Sequence, residues 1–253
     1  MKSVHYTVPG KPSVLKLIET EIPAFNDNEI LIKVKAAGVN RPDLLQREGV
    51  YPAPPGHSKT LGLEVSGIVE EIGNKITRFY KGDKVCALVD GGGYAEFCVV
   101  KENQVAKFPK NLSFIEAAGI PECFITCWSN LINRGAFSAG ETVLIHGGTS
   151  GIGTSAIQIL KLFNSTIYTT VGSEKKKKFC EDLGADLVVN YKKEDFFEVM
   201  KEKKKINVIL DIIGGDYTQK NINLLHNEGR LINIAFQKGS KLELNLMKVM
   251  LKR

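Results

Sequence analysis

A glycine-rich run near the middle of the chain has the residue types and spacing of a phosphate-binding turn. It reads HGGTSGIG at residues 146–153, after an apolar stretch (142–145) that we interpret as a buried strand and before a segment (154–163) with helical apolar spacing. Glycine allows the backbone to approach a pyrophosphate closely, and a helix start offers unpaired N–H groups to it. A plain glycine connector is the alternative. The residues predicted to bind dinucleotide phosphates are Gly148, Thr149, Ser150, Gly151 and Ile152.

The stretches after this run alternate between short apolar segments and helix-like segments. Further strands are predicted over residues 166–171, 187–189, 208–213 and 231–235, and helices over residues 175–183, 193–203 and 217–225. Gly184 directly follows the first of these three helices and predicts its end. Short Val- and Ile-rich runs that alternate with amphipathic segments indicate a parallel sheet with helices on both faces. We therefore predict a doubly wound α/β domain over residues 123–253, with its ligand site at the carboxyl ends of the strands.

The first half of the chain has a different pattern of residues. Its predicted strands are short and separated by turns, over residues 30–34, 65–72, 84–88 and 95–100. Helical spacing is limited to residues 42–46, in a region that is rich in proline. These features predict a mostly β, barrel-like domain over residues 1–122.

The composition of the chain excludes several classes of protein. No apolar stretch approaches the ~20 residues that span a bilayer, and no secretory signal opens the sequence, so we expect no membrane partner. The five cysteines are scattered, which suits reduced thiols and a cytoplasmic location. The net charge of +6 comes largely from lysine-rich helical segments without interleaved aromatic residues, so a solvated helix face is favoured over a nucleic-acid surface.

Four further segments resemble the zeta-crystallin-like NADPH:quinone oxidoreductases, a branch of the medium-chain dehydrogenase/reductase superfamily. They read AAGVNRPD at residues 36–43, LGLEVSG at 61–67, GDKV at 82–85 and GYAE at 93–96. Residues 172–195 are most similar to the p53-inducible type within this branch. The resemblance implies a GroES-like catalytic domain, a Rossmann domain and a cleft between them.

The zinc ligands of the alcohol dehydrogenases in this superfamily are missing from the sequence. Those enzymes have cysteine where this chain has Asn40 and histidine where it has Leu63, and neither replacement supplies a thiolate or an imidazole. Cys123 and Cys127 are four residues apart, but buried small hydrophobic residues are the simpler interpretation. We therefore predict no metal. Without a Lewis acid, the favoured acceptors are already electrophilic, namely quinones or α,β-unsaturated carbonyls.

The end of the second Rossmann strand indicates which dinucleotide binds. NAD enzymes usually place Asp or Glu there, whereas this chain has Gly172-Ser173, which leaves room for a 2′-phosphate. The resemblance assigns that phosphate to Lys176 and Tyr191, so NADPH is the predicted cofactor. Lys176 also has the interpretation of a solvated helix lysine. Glu174 either opposes the phosphate or is an ordinary acid at a helix start.

The resemblance also assigns residues to the acceptor and to the nicotinamide. Asn40, Asp43 and Tyr51 are expected on the acceptor side, although Asp43 is equally suited to cap a helix and Tyr51 to occupy a turn. Thr126 is expected beside the nicotinamide in both a catalytic and a cofactor-binding role. Of the other expected cofactor residues, Gly214 follows the fourth strand, and Ala235 and Phe236 end the fifth strand near the nicotinamide.

These observations predict a zinc-independent oxidoreductase that transfers a hydride from NADPH to a quinone. One alternative is an NADPH-dependent enone or enoyl reductase. A third is a cofactor-binding chain with little catalysis, because the family continues beyond residue 253 with a sixth strand and a return segment to the catalytic domain. The fold is accordingly expected to be C-terminally incomplete, with an exposed fifth strand and without the strand that pairs across the family dimer, although self-association remains possible.

A short-chain dehydrogenase is disfavoured because it requires a downstream Tyr-x-x-x-Lys. The three tyrosines that follow the glycine run, at positions 168, 191 and 217, have Gly172, Asp195 and Asn221 four residues further on.

Overall fold

The structure is a computed structural model that describes residues 1–53, 55–203 and 205–252. The chain divides into two compact units, Met1–Glu122 and Cys123–Arg253. The first unit is mostly β and the second contains a parallel sheet with helices, which confirms the predicted fold class. Among the described residues, no helix combines the length and the apolar character needed to cross a bilayer.

The first unit consists of seven described strands and a few short helices. The strands are β1 (Lys2–His5), β2 (Lys16–Glu19), β3 (Glu29–Ala37), β4 (Glu64–Ile72), β5 (Lys84–Leu88), β6 (Phe97–Lys101) and β7 (Val105–Lys107). β1 pairs with β2, and the other five form an antiparallel sheet in the order β6-β3-β4-β5-β7. The helices are α1 (Arg41–Arg47), α2 (Phe114–Ala118) and α3 (Pro121–Cys127), the last of which contains the boundary between the units.

Alternating apolar residues of β3, β4 and β5 form the core of the first unit, including Ile30, Val65 and Val85, each with no exposed surface. Strands β3 and β4 approach each other closely at Gly67, where a Cβ atom would lie 2.3 Å from the Lys33 carbonyl oxygen. Only glycine fits this position, next to the register shift in β3. The sheet can therefore curl and bring α1, which follows β3, next to the start of β4.

The second unit has five described parallel strands in the order β10-β9-β8-β11-β12. They are β8 (Thr142–His146), β9 (Thr166–Val171), β10 (Leu187–Asn190), β11 (Ile206–Asp211) and β12 (Leu225–Asn233). The helices are α4 (Gly151–Lys161), α5 (Glu174–Leu183), α6 (Phe196–Met200), α7 (Tyr217–Leu224) and α8 (Leu246–Met250). The strand order reverses beside β8, and ligands of such sheets bind at this point, outside the carboxyl ends of the strands.

The second unit buries its sheet on both faces. All five residues of β8 are buried, with Val143 and Ile145 in one apolar cluster and Leu144 in another. A strand with two buried faces reads as a continuous apolar run, which is why the sequence predicted this strand. The predicted end of α5 is confirmed, because Gly184 adopts a left-handed φ of 111° and caps the helix.

Several predicted boundaries were wrong. β12 begins at Leu225, which pairs with Ile206, and only after a bulge does Arg230 pair with Val208. The residues between these pairs are polar, so the first half of the strand lacks the apolar pattern on which the prediction relied. β11 ends at Asp211, two residues before the predicted end, and α6 covers only the middle of the predicted helix. Strands β1, β2 and β7 were not predicted, because they are short and mostly exposed or half-buried.

Arg230 connects β12 to the start of the second unit's sheet. Its guanidinium donates to both carboxylate oxygens of Glu141, at 2.9 and 2.7 Å, and to the carbonyls of Gly135 and Ala136 at 2.7 and 3.0 Å. The Arg230 and Glu141 side chains are only 28% and 19% exposed, so solvent screens this pair less than a surface pair. Such a bidentate contact stabilises the fold more than an exposed ion pair does.

We expect Arg230→Ala to lower the free energy of unfolding of the second unit by about 2–3 kcal/mol, since it leaves a partly buried carboxylate and two carbonyls without their donor. The matched control is Lys178→Ala, which breaks the exposed pair with Asp182 and should cost at most ~0.5 kcal/mol. Denaturant unfolding followed by circular dichroism measures both changes. Equal losses in the two variants would contradict the role given to Arg230.

Candidate functional site

The glycine run forms a tight turn between β8 and α4. Gly147 has a left-handed φ of 80°, and the N–H groups of Gly147 and Gly148 both donate to the Thr170 carbonyl at 3.1 Å. A Cβ atom on Gly148 would lie 2.4 Å from the Thr169 hydroxyl oxygen, so a larger residue would push the turn away from β9. The backbone is thus held at the carboxyl end of the two central strands.

Helix α4 begins directly after the turn. Ser150 is the N-cap residue, and its hydroxyl accepts the Gly153 N–H at 3.0 Å and donates to the Gly147 carbonyl at 2.7 Å. Gly151 is exposed, and Thr149 and Ile152 are half-buried. First-turn N–H groups have no carbonyl partner within their own helix, so this end of α4 is suited to an anion.

Helix α3 is attached to the same end of α4. The Cys127 thiol donates to the Ile152 carbonyl at 3.2 Å, and the Cys123 sulfur would lie 2.6 Å from a Cβ atom on Gly151. Cys127 is fully buried and Cys123 is half-buried, as expected for small residues in a packed interface. Thr126, between them, is half-buried, and its carbonyl accepts the Asn130 amide at 2.9 Å. Thr126, the predicted nicotinamide residue, therefore lies on a helix that is fixed to the glycine turn between β8 and α4. We call this turn the phosphate turn.

Gly172, Ser173 and Tyr191 come together at the end of β9. A Cβ atom on Gly172 would lie 2.6 Å from the Tyr191 hydroxyl oxygen, and Ser173 caps α5 by accepting the Lys176 N–H at 3.3 Å. Lys176 is exposed in the first turn of that helix. The residues expected around a 2′-phosphate, from the sequence and from the family resemblance, thus lie at the end of β9 and the start of α5.

Glu174 is paired within this region. Its carboxylate accepts the Asn190 amide at 2.7 Å and contacts the Lys193 ammonium at 3.2 Å. The hydrogen bond from Asn190, followed by that from Lys193, lowers the pKa of Glu174. Glu174 is therefore an ordinary acid at a helix start, and its charge is already balanced.

The loops after β11 and β12 lie at the carboxyl ends of their strands, on the other side of β8 from β9. We call this loop region of the second unit the nucleotide half. Gly214 and Gly215 have left-handed φ values of 66° and 53°, and a Cβ atom on Gly214 would lie 2.8 Å from the Phe236 ring. Ala235 and Phe236 follow β12 instead of ending it as predicted, since the strand ends at Asn233. Beyond it, the N–H groups of Gln237 and Lys238 donate to the carbonyls of Ile212 and Ile213. Phe236 is 50% exposed.

In the first unit, Asn40 is held by two carboxylates. Its backbone N–H donates to Asp43 Oδ2 and its side-chain amide to Glu64 Oε1, both at 2.8 Å. Asp43 is buried and also accepts the Gly62 N–H and the Tyr94 hydroxyl, at 3.1 and 2.9 Å. Asp43 therefore acts as a cap and as a loop anchor, which is the alternative that the sequence left open.

Glu64 is the buried centre of this group and is 2% exposed. Its second oxygen accepts the backbone N–H of Glu122 at 2.9 Å. Burial is the main cause that raises the pKa of Glu64, and burial together with the charge of Glu64 raises that of the Glu122 carboxyl. Burial and the neighbouring Asp43 likewise raise the pKa of Tyr94.

The remaining sequence predictions have different outcomes. Tyr51 lies in the turn after α1, where its backbone N–H donates to the Leu45 carbonyl, and its side chain is 52% exposed. Among the described residues, no three His, Cys, Asp or Glu side chains are grouped so as to hold a metal ion. Glu64 and Tyr94 were not predicted as site residues, although they lie inside the quoted LGLEVSG and GYAE segments.

His146 was predicted only as part of the glycine run, but it is fully buried at the end of β8. Its Nδ1 lies 3.0 Å from the Thr170 hydroxyl, and its Nε2 lies 2.8 Å from the Asn221 amide oxygen. The rings of Phe196 and Tyr217 pack against it at 4.9 and 5.0 Å between centroids. Burial lowers the pKa of His146, although the hydrogen bond to Asn221 and the charge of Asp211 oppose this shift.

Comparison with known proteins gives consistent matches in both units. Residues 26–110 match the family model for the alcohol dehydrogenase GroES-like domain, and residues 151–253 match that for zinc-binding dehydrogenases. The chain is 33% identical to human quinone oxidoreductase over 240 residues, which is 93% of this chain and 73% of that protein.

Two solved structures resemble the whole chain. The Escherichia coli quinone oxidoreductase complexed with NADPH superimposes with a TM-score of 0.86 at 29% identity, and covers 100% of this chain and 78% of its own. The CurK enoyl reductase superimposes with a TM-score of 0.88 at 27% identity, with the same coverage.

The neutral, buried His146 should make stability depend on pH. Below pH ~6.5 the unfolded chain binds a proton at this histidine that the folded chain excludes, so stability falls as the pH decreases, by up to ~1.4 kcal/mol per unit. Between pH 7.5 and 5.5, we expect the melting temperature of His146→Gln to fall less than that of the unmutated chain. The exposed His226 provides the control variant His226→Gln. Parallel pH curves for all three proteins would show that His146 does not contribute.

Proposed function

Because the chain belongs to the quinone oxidoreductase-like branch of the medium-chain dehydrogenase/reductase superfamily and is a nicotinamide-dependent oxidoreductase, we propose that it reduces a quinone with NADPH and without zinc. The observation that carries the cofactor choice is the grouping of Gly172, Ser173 and Tyr191 around the start of α5. The solved relative from Escherichia coli holds NADPH on a similar fold. The cytoplasmic location and the lack of a nucleic-acid partner stay predictions.

The residues of the second unit fit NADPH at two places. The Gly148–Gly151 backbone and the start of α4 suit the pyrophosphate, because Gly148 and Gly151 have no Cβ atom and the helix start attracts anions. Ser173, Lys176 and Tyr191 suit the 2′-phosphate, since small and hydroxyl side chains leave space and a lysine balances the charge. Thr126, Gly214, Ala235 and Phe236 are assigned to the nicotinamide side.

When bound, NADPH supplies the hydride. The residues of the chain orient the cofactor and the acceptor and stabilise the charge that develops on the acceptor. A quinone that accepts a hydride becomes an anion whose charge is delocalised over the ring, so a hydrogen-bond donor is sufficient in place of a metal ion. Asn40 has two amide N–H groups, and Glu64 accepts one of them. We assign the second to the oxygen of the acceptor, with Asp43 fixing the backbone of Asn40. Tyr51 is assigned to the acceptor side as an exposed aromatic surface.

A second candidate function is reduction of an enone or an enoyl group. The similarity to the CurK enoyl reductase favours it, because that structure superimposes as well as the quinone oxidoreductase does. Both acceptors develop a delocalised negative charge on an oxygen, so the same Asn40 donor serves either reaction. The shape of the acceptor distinguishes the two.

The cofactor proposal predicts that NADPH binds more tightly than NADH. Lys176→Ala should narrow this difference by about 1–3 kcal/mol, the size of one charge-assisted hydrogen bond. Lys178→Ala is the matched control, because Lys178 lies on the same helix but pairs with Asp182. Titration calorimetry with both cofactors measures the effect. Equal dissociation constants for NADH and NADPH on the unmutated chain would contradict the choice of NADPH.

The acceptor proposal predicts NADPH oxidation with quinones at a rate that a strong zinc chelator leaves unchanged. Asn40→Ala should lower kcat/KM for the quinone about tenfold, as expected for the loss of one hydrogen bond to a developing charge. The control is Asn26→Ala, since the Asn26 amide donates to Glu29 in a comparable but exposed contact at 2.9 Å.

A panel of quinones and enones, measured against the rate without acceptor, separates the two functions. Turnover of enones alone would favour the enoyl reductase, and NADPH binding without turnover of either class would leave a cofactor-binding chain. An equal loss in the Asn40 and Asn26 variants would remove Asn40 from the acceptor site.

A further inference from the structure

A line of polar side chains, all of them buried except Asn233, joins the ends of four strands of the second unit. His146 ends β8, Thr170 lies near the end of β9, Asp211 ends β11 and Asn233 ends β12. Asn221 of α7 lies between His146 and Asp211. His146, Asp211 and Asn221 have no exposed surface, and Thr170 has 1%. We call these five residues the strand-end relay.

The hydrogen bonds of the relay converge on the Asp211 carboxylate. The Thr170 hydroxyl donates to His146 Nδ1 because Asn221 Oδ1, on the other side of the ring, can only accept and therefore takes the Nε2–H. Asn221 Nδ2 donates to Asp211 Oδ2 at 3.2 Å, and Asn233 Nδ2 donates to the same oxygen at 3.0 Å. Each donor has an acceptor, and the line ends on the Asp211 carboxylate.

Both ends of the relay touch loops of the nucleotide half. The N–H groups of Gly147 and Gly148 donate to the Thr170 carbonyl. At the other end, Asp211 Oδ1 accepts the N–H groups of Ile213 and Gly214 at 2.7 and 3.2 Å. The relay thus spans the distance between the phosphate turn and the loop that begins the nicotinamide side.

Filling this space with polar side chains carries a desolvation cost. Apolar side chains of similar volume would pack the interior without the cost of burying a carboxylate and a histidine. A fully satisfied buried network, however, allows one arrangement of the elements that it joins, whereas apolar packing tolerates small shifts. A shift of ~1 Å between the loops would matter, because a hydride donor must be placed accurately.

We propose that the strand-end relay is a positioning device that sets the spacing between the phosphate turn and the Gly214–Gly215 loop, so that both ends of one NADPH molecule are bound together. This inference rests on the proposed function, because it assumes that the two loops bind the same dinucleotide. His146, Asn221, Asp211 and Asn233 are then positioning residues, which act on the cofactor only through the loops.

The test compares two probes that differ in length. 2′,5′-ADP has only the adenosine half with its 2′- and 5′-phosphates, so it reaches the site of Ser173, Lys176 and Tyr191 and the phosphate turn, whereas NADPH also occupies the nicotinamide side. We expect Asn233→Ala to raise the dissociation constant of NADPH about tenfold, as for a lost hydrogen bond to a charged group, and to leave that of 2′,5′-ADP unchanged. Asn233 is exposed, so this variant should fold.

Asp211→Asn provides a second variant. It places an amide group opposite the amide donors of Asn221 and Asn233 and should therefore weaken NADPH binding. The exchange Asp211→Asn with Asn221→Asp restores a donor–acceptor pair between these positions and should recover part of the NADPH affinity. The matched control is Asn207→Ala, since Asn207 accepts the Thr142 N–H at 3.0 Å, at the amino end of the same sheet. It should lower the melting temperature and leave the ratio of the two dissociation constants unchanged.

The outcomes distinguish the relay from the proposed cofactor. If 2′,5′-ADP does not bind the unmutated chain, the assignment of NADPH fails, and the role of the relay fails with it. If 2′,5′-ADP binds but the relay variants leave the ratio of NADPH to 2′,5′-ADP affinity unchanged, the relay inference alone is overturned. The same holds if Asn207→Ala changes the ratio as much as Asn233→Ala does, or if the exchanged pair recovers no affinity.

Discussion

The burial of both faces of the parallel sheet in the second unit determines where polar chemistry can occur. Apolar clusters cover the two faces, with Ile145 on one side and Leu144 on the other. Backbone N–H groups inside the sheet are used by the ladder, so the unused donors are found where the strands end and the helices begin. The glycine turn after β8 and the caps of α4 and α5 are such places. The proposed nucleotide site is a direct consequence of this layered packing.

The first unit meets a different constraint, which is the burial of the Asp43 and Glu64 carboxylates. Asp43 accepts three donors from the protein, and Glu64 accepts two. These donors offset the loss of hydration that burial imposes. The contact between Glu64 and Asn40 also limits the rotation of the Asn40 amide. The residue that we propose for the acceptor is therefore held by groups whose own role is structural.

These two arrangements fit one kind of chemistry. The first unit offers a fixed amide donor, and the second offers fixed backbone donors and a lysine. Dipoles and hydrogen bonds of this kind act best on charge that is already spread over several atoms, as on a reduced quinone or an enolate. The family supports several reactions on one fold because such donors tolerate different acceptors, and the acceptor is then selected by the shape of the site.

The elements that depend on neighbouring residues could be predicted from the amino-acid sequence. Apolar runs predicted β8, β9 and β5, the glycine run predicted the turn before α4, and Gly184 predicted the end of α5, because each reflects local backbone preference or burial of a whole strand. The polar first half of β12 has no such pattern and was missed.

The contacts between residues far apart in the chain emerged only from the folded arrangement. His146 and Asn221 are 75 positions apart, and Asn40 and Glu64 are 24 apart. It also decided that Glu174 pairs with Lys193 and that Asp43 is a cap. The type of a polar residue states which hydrogen bonds it can make, but the packing of the strands and helices that carry it selects its partner.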